Sequence, residues 1–342
     1  MSDLGVDLHS TSFTVCRLPK RGKGRLERYR LEDIDRFRQT LRRQDRVAVE
    51  ATGNTRYCVE RIRDRVREVQ VVDPWRFGVI KDSVKKTDKN DARNVALFLS
   101  KDLLPQARQK STAAVQMRSL AGTRDTLVKQ RTALLNKIRA LLHSRGISVR
   151  KERLGSRKGL GRIWEYEWEE VEAVELRVLE EQIQSLSRSI RQLDKELQER
   201  GRRMKGHANL TSITGIGDTS ASILLSVIGD VKDFANADKL AAYMGIVPRV
   251  QDSNDHQRHG RITKRGSKLG RTTLVQCTLV ALRYSPYLRG YYERIKARRG
   301  SGKAIIATAR KFLKIIYDTL VNEWMFVDFP NFVKADTSSE KK

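Results

Sequence analysis

Between Leu176 and Leu197 the chain places Leu176, Leu179, Ile183, Leu186, Ile190, Leu193 and Leu197 at alternating spacings of three and four. That is the a/d period of a helix burying one narrow stripe against another helix, sustained over three heptads. Upstream, Leu120, Leu127, Leu134 and Leu141 share one heptad position, while Arg124 and Arg131 interrupt the other. A segment from Gly146 to Trp168, with Gly155, Gly159 and Gly161 among basic residues, separates the two. Residues 105–206 are therefore expected to form a coiled-coil arm. It is either an antiparallel hairpin or a coiled coil between chains, and its basic flanks suit dimerisation and nucleic-acid binding.

The flanks of this arm read differently. Apolar runs at Leu4–Leu8, Phe13–Leu18, Val47–Glu50 and Val69–Val72 predict strands, the last stopped by Asp73–Pro74, and after a turn at Gly22 and Gly24 the segment Arg25–Leu31 can return as a third strand. Ile34, Phe37 and Leu41 predict a helix, and so do Thr55–Arg67 and Val84–Leu99. Three strands, helix, strand, helix, strand, helix is the order of an RNase H-like domain, whose mixed sheet presents acidic residues at its strand ends. Residues 207–330 read as mostly helical, and 331–342 as a flexible tail. The expected fold class is thus α/β plus all-α.

Charge then narrows the partner. The 342 residues carry 69 Lys+Arg against 41 Asp+Glu, a formal net charge of +28. A compact body so positive repels itself unless a polyanion relieves it, and nucleic acid is the leading partner. From His256 to Tyr292 there is no acid at all, while Arg258, Arg261, Lys264, Arg265, Lys268 and Arg271 are present. Gly260 and Gly266 bracket what reads as a cationic loop able to approach a phosphate backbone. Ile213-Thr214-Gly215-Ile216-Gly217 before an apolar helix resembles a helix-hairpin-helix element, in which Gly215 and Gly217 let the backbone meet a phosphate. A plain helix-to-helix turn fits the same residues.

Several classes drop out. No stretch approaches the ~18 apolar residues of a membrane helix, and the N-terminus lacks the basic-then-apolar pattern of a signal peptide. Cys16, Cys58 and Cys277 are odd in number and form no CxxC pair, so they read as reduced core thiols. His256 and His259 lack the further ligands a zinc site needs.

Four acids stand out against this background: Asp7 within an apolar strand, Glu50 ending the central strand, and Asp88 and Asp91 three apart on one helix face. A carboxylate in an apolar strand is costly without a partner. Mg²⁺ takes oxygen ligands and shares its remaining positions with substrate phosphates, and two such ions can clamp a phosphodiester.

Gly5-Val6-Asp7, Val49-Glu50-Ala51-Thr52, Lys86-Thr87-Asp88-Lys89-Asn90-Asp91-Ala92, Ile213–Gly217, Ala241–Arg249 and Gly260–Gly266 together resemble the DEDD transposases of the insertion-sequence one-ten family. The motifs run in family order over nearly the whole chain. The resemblance implies a RuvC-like DEDD catalytic domain at 1–104, a coiled-coil arm at 105–206 and a helical transposase domain at 207–330. It implies a Mg²⁺-binding quartet of Asp7, Glu50, Asp88 and Asp91. It also implies a recombinase in which a structured guide (bridge) RNA pairs with donor and target DNA, working as a dimer or tetramer in the bacterial cytoplasm, at the nucleoid. The family's serine nucleophile falls between the Val-Pro and Gly-Arg-Ile motifs, where this chain has one serine, Ser253. Many members carry a Ser-Ser-Gly-Gly-like run there; this chain reads Asp252-Ser253-Asn254-Asp255. Ser253 would attack a phosphodiester to give a covalent phosphoserine, and Ser267 is the reserve. A junction-resolving metal nuclease without a covalent intermediate, and a non-enzymatic coiled-coil architectural protein, are the competing readings.

Overall fold

In the first strand, β1 (Ser2–Leu8), side chains alternate between two faces of a sheet. Leu4, Val6 and Leu8 join Phe13, Val15, Val47 and Val49 under Ile34, Phe37, Cys58 and Ile62. Those last four come from α1 (Ile34–Gln39) and α2 (Thr55–Ile62). The opposite face lies under α4 (Asp88–Ser100), where Ala48, Val72, Val95 and Leu99 form a second apolar layer with Phe77 of α3 (Pro74–Ile80).

The sheet also contains β2 (Ser12–Pro19), β3 (Arg25–Arg30), β4 (Arg46–Glu50) and β5 (Glu68–Val72), in the order β3-β2-β1-β4-β5. The β1–β2 and β2–β3 pairs are antiparallel, and β1–β4 and β4–β5 are parallel. The expected strands and their order are all present in this mixed sheet, which is consistent with a nuclease-like N-terminal domain. Two helices differ from expectation. α2 stops at Ile62, not Arg67, and α3 was not foreseen. Asp73–Pro74 does end a strand, but proline is also at home in the first turn of a helix, where its missing N–H costs nothing.

This computed structural model describes residues 1–80, 87–105, 107–108, 111–150, 154–253 and 256–327, with side chains left out at 75, 79–80 and 250–259. The tail expected at 331–342 and the start of the helix expected from Val84 lie outside the described residues. The chain divides into two units, Met1–Gln109 and Lys110–Lys342.

In the second unit, α5 (Thr112–Ser144) and α7 (Glu170–Gly201) pack along each other. Leu176 and Ile183 cluster with Leu135, Ile138 and Leu142, whereas Leu197 clusters with Met117 and Ala121. The start of one helix meets the end of the other, so the pair is antiparallel. Of the two arrangements open to the heptads, this is the hairpin within one chain. The interrupting arginines are accommodated: Arg124 Nε donates to Asp194 Oδ1 at 2.6 Å, and Arg131 Nη1 to Ser187 Oγ at 3.5 Å. A short helix, α6 (Arg157–Gly161), and Ile163 close the far end, where Trp168 Nε1 donates to Ile163 O.

The remainder is built from α8 (His207–Thr211), α9 (Asp218–Ile228), α10 (Ala237–Met244), α11 (Lys268–Tyr284), α12 (Pro286–Arg299) and α13 (Ser301–Val321). Leu224, Ile228, Met244, Leu274, Phe312 and Ile316 are among its fully buried centre. Between α10 and α11 stands an antiparallel hairpin of β6 (Pro248–Ser253) and β7 (His256–Ile262). This hairpin is absent from the sequence reading because its strands are polar and carry no apolar alternation.

Candidate active site

Asp7 sits one residue before the end of β1 and pairs with Thr14 on β2. On its other side the last pair between β1 and β4 is Val6–Val49. The next step of that register places Asp7 beside Glu50, the last residue of β4. Adjacent residues in register point to one face of a sheet, here the face covered by α4.

Gly5 sets how closely α4 lies. A Cβ at Gly5 would stand 2.2 Å from Ala92 O and 2.3 Å from Ala96 N, both backbone atoms of the helix. The helix therefore rests directly on the strand, and its first turn reaches the strand's C-terminal end. Thr87 caps that turn, its hydroxyl accepting from Asn90 N at 3.3 Å. Asp88 and Asp91 occupy the turn, where the helix dipole favours negative charge. Asp7 and Asp91 are buried; Glu50 and Asp88 are half-buried.

The structure adds a residue to the predicted set. His9 Nε2 lies 3.3 Å from Asp7 Oδ2 and 3.3 Å from Asp88 Oδ1. One ligand atom from each of Asp7, His9 and Asp88 falls within 4.8 Å of the others; Glu50 and Asp91 stand outside this triad. The loops that carry these groups are braced. Asn54 Nδ2 donates to His9 O at 3.0 Å and to Ser10 O at 3.2 Å. The Thr55 hydroxyl donates to Glu50 O at 3.0 Å and accepts from Thr52 N at 2.6 Å. The donor set, two carboxylates and an imidazole, fits a divalent cation. Mg²⁺ would use the oxygens, and the ring nitrogen adds a ligand that Mn²⁺ accepts more readily.

In the second unit, Ser253 ends β6 opposite His256, the first residue of β7. Ser267 is buried and caps α11, its Oγ accepting from Gly270 N at 3.1 Å. The segment before it is pinned where two glycines face each other. Gly245 and Gly266 both adopt positive φ, and a Cβ on Gly245 would meet Arg265 O at 1.8 Å. Of the predicted phosphate contacts, Arg261, Lys264, Arg265 and Lys268 are exposed on this stretch. Gly260 belongs to β7, not to a loop, and Arg258 lies on the same strand with its side chain outside the described residues. Arg271 is used inward: Nη1 donates to Met244 O at 3.1 Å and Gly266 O at 3.2 Å, and burial lowers its pKa.

Gly215 and Gly217 divide similarly. A Cβ on Gly215 would lie 2.9 Å from Ala281 N, so this glycine serves contact with α11. Gly217 faces open space at the start of α9. Beside it Asp218 pairs with Arg202 at 2.9 Å.

Two family models match in chain order: a transposase model of the DEDD, IS110 type over residues 4–145, and one described as transposase IS116/IS110/IS902 family over residues 207–293. The chain belongs to the IS110 family of transposases. A Pseudomonas aeruginosa protein named "Probable family 20 transposase" is 29% identical over 93% of this chain and 93% of its own length. The transposase for insertion sequence element IS1111A of Coxiella burnetii is 27% identical over 94% of this chain and 90% of its own. That for IS1328 of Yersinia enterocolitica is 26% identical, covering 84% and 86%.

Within this IS110-family chain, the first model spans Asp7, Glu50, Asp88 and Asp91, and the second spans Ser253 and the exposed cations after it. No helix among the described residues is long and apolar enough to cross a membrane. His9 escaped the sequence reading because a polar residue in a strand-end turn belongs to no periodic pattern. Its one signal was its place two residues after Asp7.

Proposed function

We propose that this IS110-family transposase is a Mg²⁺-dependent, RNA-guided recombinase that cuts and rejoins donor and target DNA through a bond to Ser253. The observation that carries the metal half of this reading is the convergence at one sheet end. β1 and β4 bring Asp7 beside Glu50, and α4, lying on Gly5, brings Asp88 to within 3.3 Å of the imidazole that also meets Asp7. Asp7, Glu50, Asp88 and Asp91 would hold the cation, which supplies charge stabilisation at the phosphodiester. Asn54, Thr55 and the Thr87 cap hold the ligand-bearing turns in place, so that little reorganisation is needed when substrate arrives.

The serine half rests on the resemblance and on the position of Ser253 at the end of β6. Its hydroxyl oxygen bonds to phosphorus and its proton is lost to a base, while the leaving strand departs with a free hydroxyl. The reverse step rejoins a new strand and frees the serine, so no bond is hydrolysed. The guide RNA and a homo-oligomeric assembly complete the reading; the net charge of +28 suits polyanionic partners.

The test is a recombination assay with donor, target and co-purified RNA, quenched in denaturant. Wild type yields DNA covalently attached to protein, and Ser253→Ala yields none and no recombinant. Free cleaved ends without attachment would establish the water-activating nuclease instead, a reading favoured by carboxylates that all gather within Met1–Gln109.

A further inference from the structure

Beside the carboxylates, at the same end of the sheet, lies a cleft of about 560 Å³ lined by Thr11, Ser12, Arg28, Arg30, Leu31 and Glu32. Its arginines stand in register with the site. Asp7 pairs with Thr14 across β1–β2, and Thr14 pairs with Arg28 across β2–β3. Asp7, Thr14 and Arg28 thus form one cross-strand row on the α4 face, spanning two strand spacings, about 10 Å. Ser12 pairs with Arg30, which is one step further along the same face. Along β3 the two arginines are about 6.8 Å apart, on the order of the spacing between successive phosphates of a strand.

The surroundings leave this row positive. Glu27, just before Arg28 in sequence, points to the other face, where the hydroxyl of Tyr29, the residue between the two arginines, donates to it. Arg30 meets Glu32 at 3.1 Å at an exposed position, a contact that water weakens. Among the described residues Arg28 has no carboxylate within 4.0 Å. The hydroxyls of Thr11 and Ser12 line the same cleft and can donate to phosphate oxygens.

We infer that Arg28 and Arg30 bind the phosphodiester backbone of the DNA strand on which the carboxylate site acts, holding it across β2 toward Asp7. This rests on the reading of Asp7, Glu50, Asp88 and Asp91 as the metal centre. A charged edge strand also discourages sheet-to-sheet pairing, but that role requires neither register with Asp7 nor a cleft.

The experiment measures affinity against salt for full-length Asp7→Asn protein, which binds without turnover, with and without Arg28→Ala/Arg30→Ala. The probes are a labelled single-stranded DNA oligonucleotide and RNA of the same sequence. Loss of two phosphate contacts lowers the slope of log K against log salt by about 1.4. Arg28→Lys restores half of that change when reintroduced into the double variant, and Glu32→Gln, which releases Arg30, strengthens binding. A fall on DNA, with or without an equal fall on RNA, supports the inference. An unchanged DNA slope, or weaker binding in Glu32→Gln, overturns it. The two readings fail separately: full DNA processing by Asp7→Asn would remove the metal centre, whatever the salt slopes show.

Discussion

Asp7 and Asp88 meet through one imidazole, with His9 Nε2 3.3 Å from a carboxylate oxygen of each. One residue comes from a strand and the other from the first turn of a helix, eighty-one positions later in the chain. Replacing either carboxylate by its amide keeps the shape and removes the charge. Asp7→Asn and Asp88→Asn are each expected to lower metal-dependent DNA processing by about 10³-fold, the equivalent of ~4 kcal/mol of transition-state stabilisation. Far-ultraviolet circular dichroism should stay at the wild-type signal; normal activity in either variant would dissociate the cluster from catalysis.

Gly5 is the reason the two can meet. Alanine there drives a methyl group into Ala92 O and Ala96 N, and backbone cannot swing aside as a flexible side chain can. Gly5→Ala should destabilise the N-terminal unit by about 1–3 kcal/mol and weaken Mn²⁺ binding, read by urea titration and by metal titration. Wild-type metal affinity in Gly5→Ala would show that α4 does not need its present seat.

The carboxylates and the sheet were legible in the sequence because both obey period two. Leu4, Val6 and Leu8 go to one face, which leaves Asp7 conspicuous on the other. The seam of α7 was legible as a seam but not in its partner, since a heptad repeat specifies a stripe and not which helix covers it. The clustering of Leu197 with Met117, far from Leu135, decides that, and the Arg124–Asp194 and Arg131–Ser187 contacts follow the same antiparallel register. The β6–β7 hairpin and His9 were not legible, because polar strands and turn residues leave no periodic trace.

Arg124 breaks the heptad stripe of α5 and is met by Asp194 of α7, through Nε at 2.6 Å and Nη2 at 3.3 Å. Both side chains are about a quarter exposed, at 27% and 25%, so the pair lies between a solvated bridge and a buried one. Asp194→Leu should cost about 1–2 kcal/mol by leaving the guanidinium without its carboxylate. Arg124→Met in the same chain should recover most of it. A thermal-melt double-mutant cycle measures the coupling, and strict additivity would mean that the pair contributes nothing.

Cys16, Cys58 and Cys277 are all free and buried, and burial raises each thiol's pKa, that of Cys58 to about 12. The thiolate is the reactive form, so at pH 8 only about one Cys58 in 10⁴ is ionised, even before access is considered. Native protein should react slowly with iodoacetamide, and denatured protein should take up three equivalents. Rapid labelling of the native chain at Cys58 would contradict its burial.

Ser253 and Ser267 can be separated by opposite signatures. Ser267 is buried with its Oγ accepting from Gly270 N, the arrangement of a helix cap, and its loss should cost about 1 kcal/mol. Ser267→Ala should therefore melt earlier yet still form the protein–DNA adduct under conditions where it is folded. Ser253 ends a strand at the hairpin and caps no helix among the described residues, so Ser253→Ala should melt as wild type does and form no adduct. Melting curves and denaturing gels of the two variants read both quantities. An adduct that persists in Ser253→Ala and vanishes in folded Ser267→Ala would transfer the nucleophile to the cap. That exchange would require the α11 terminus to open, since the hydroxyl is otherwise turned toward the backbone of its own helix.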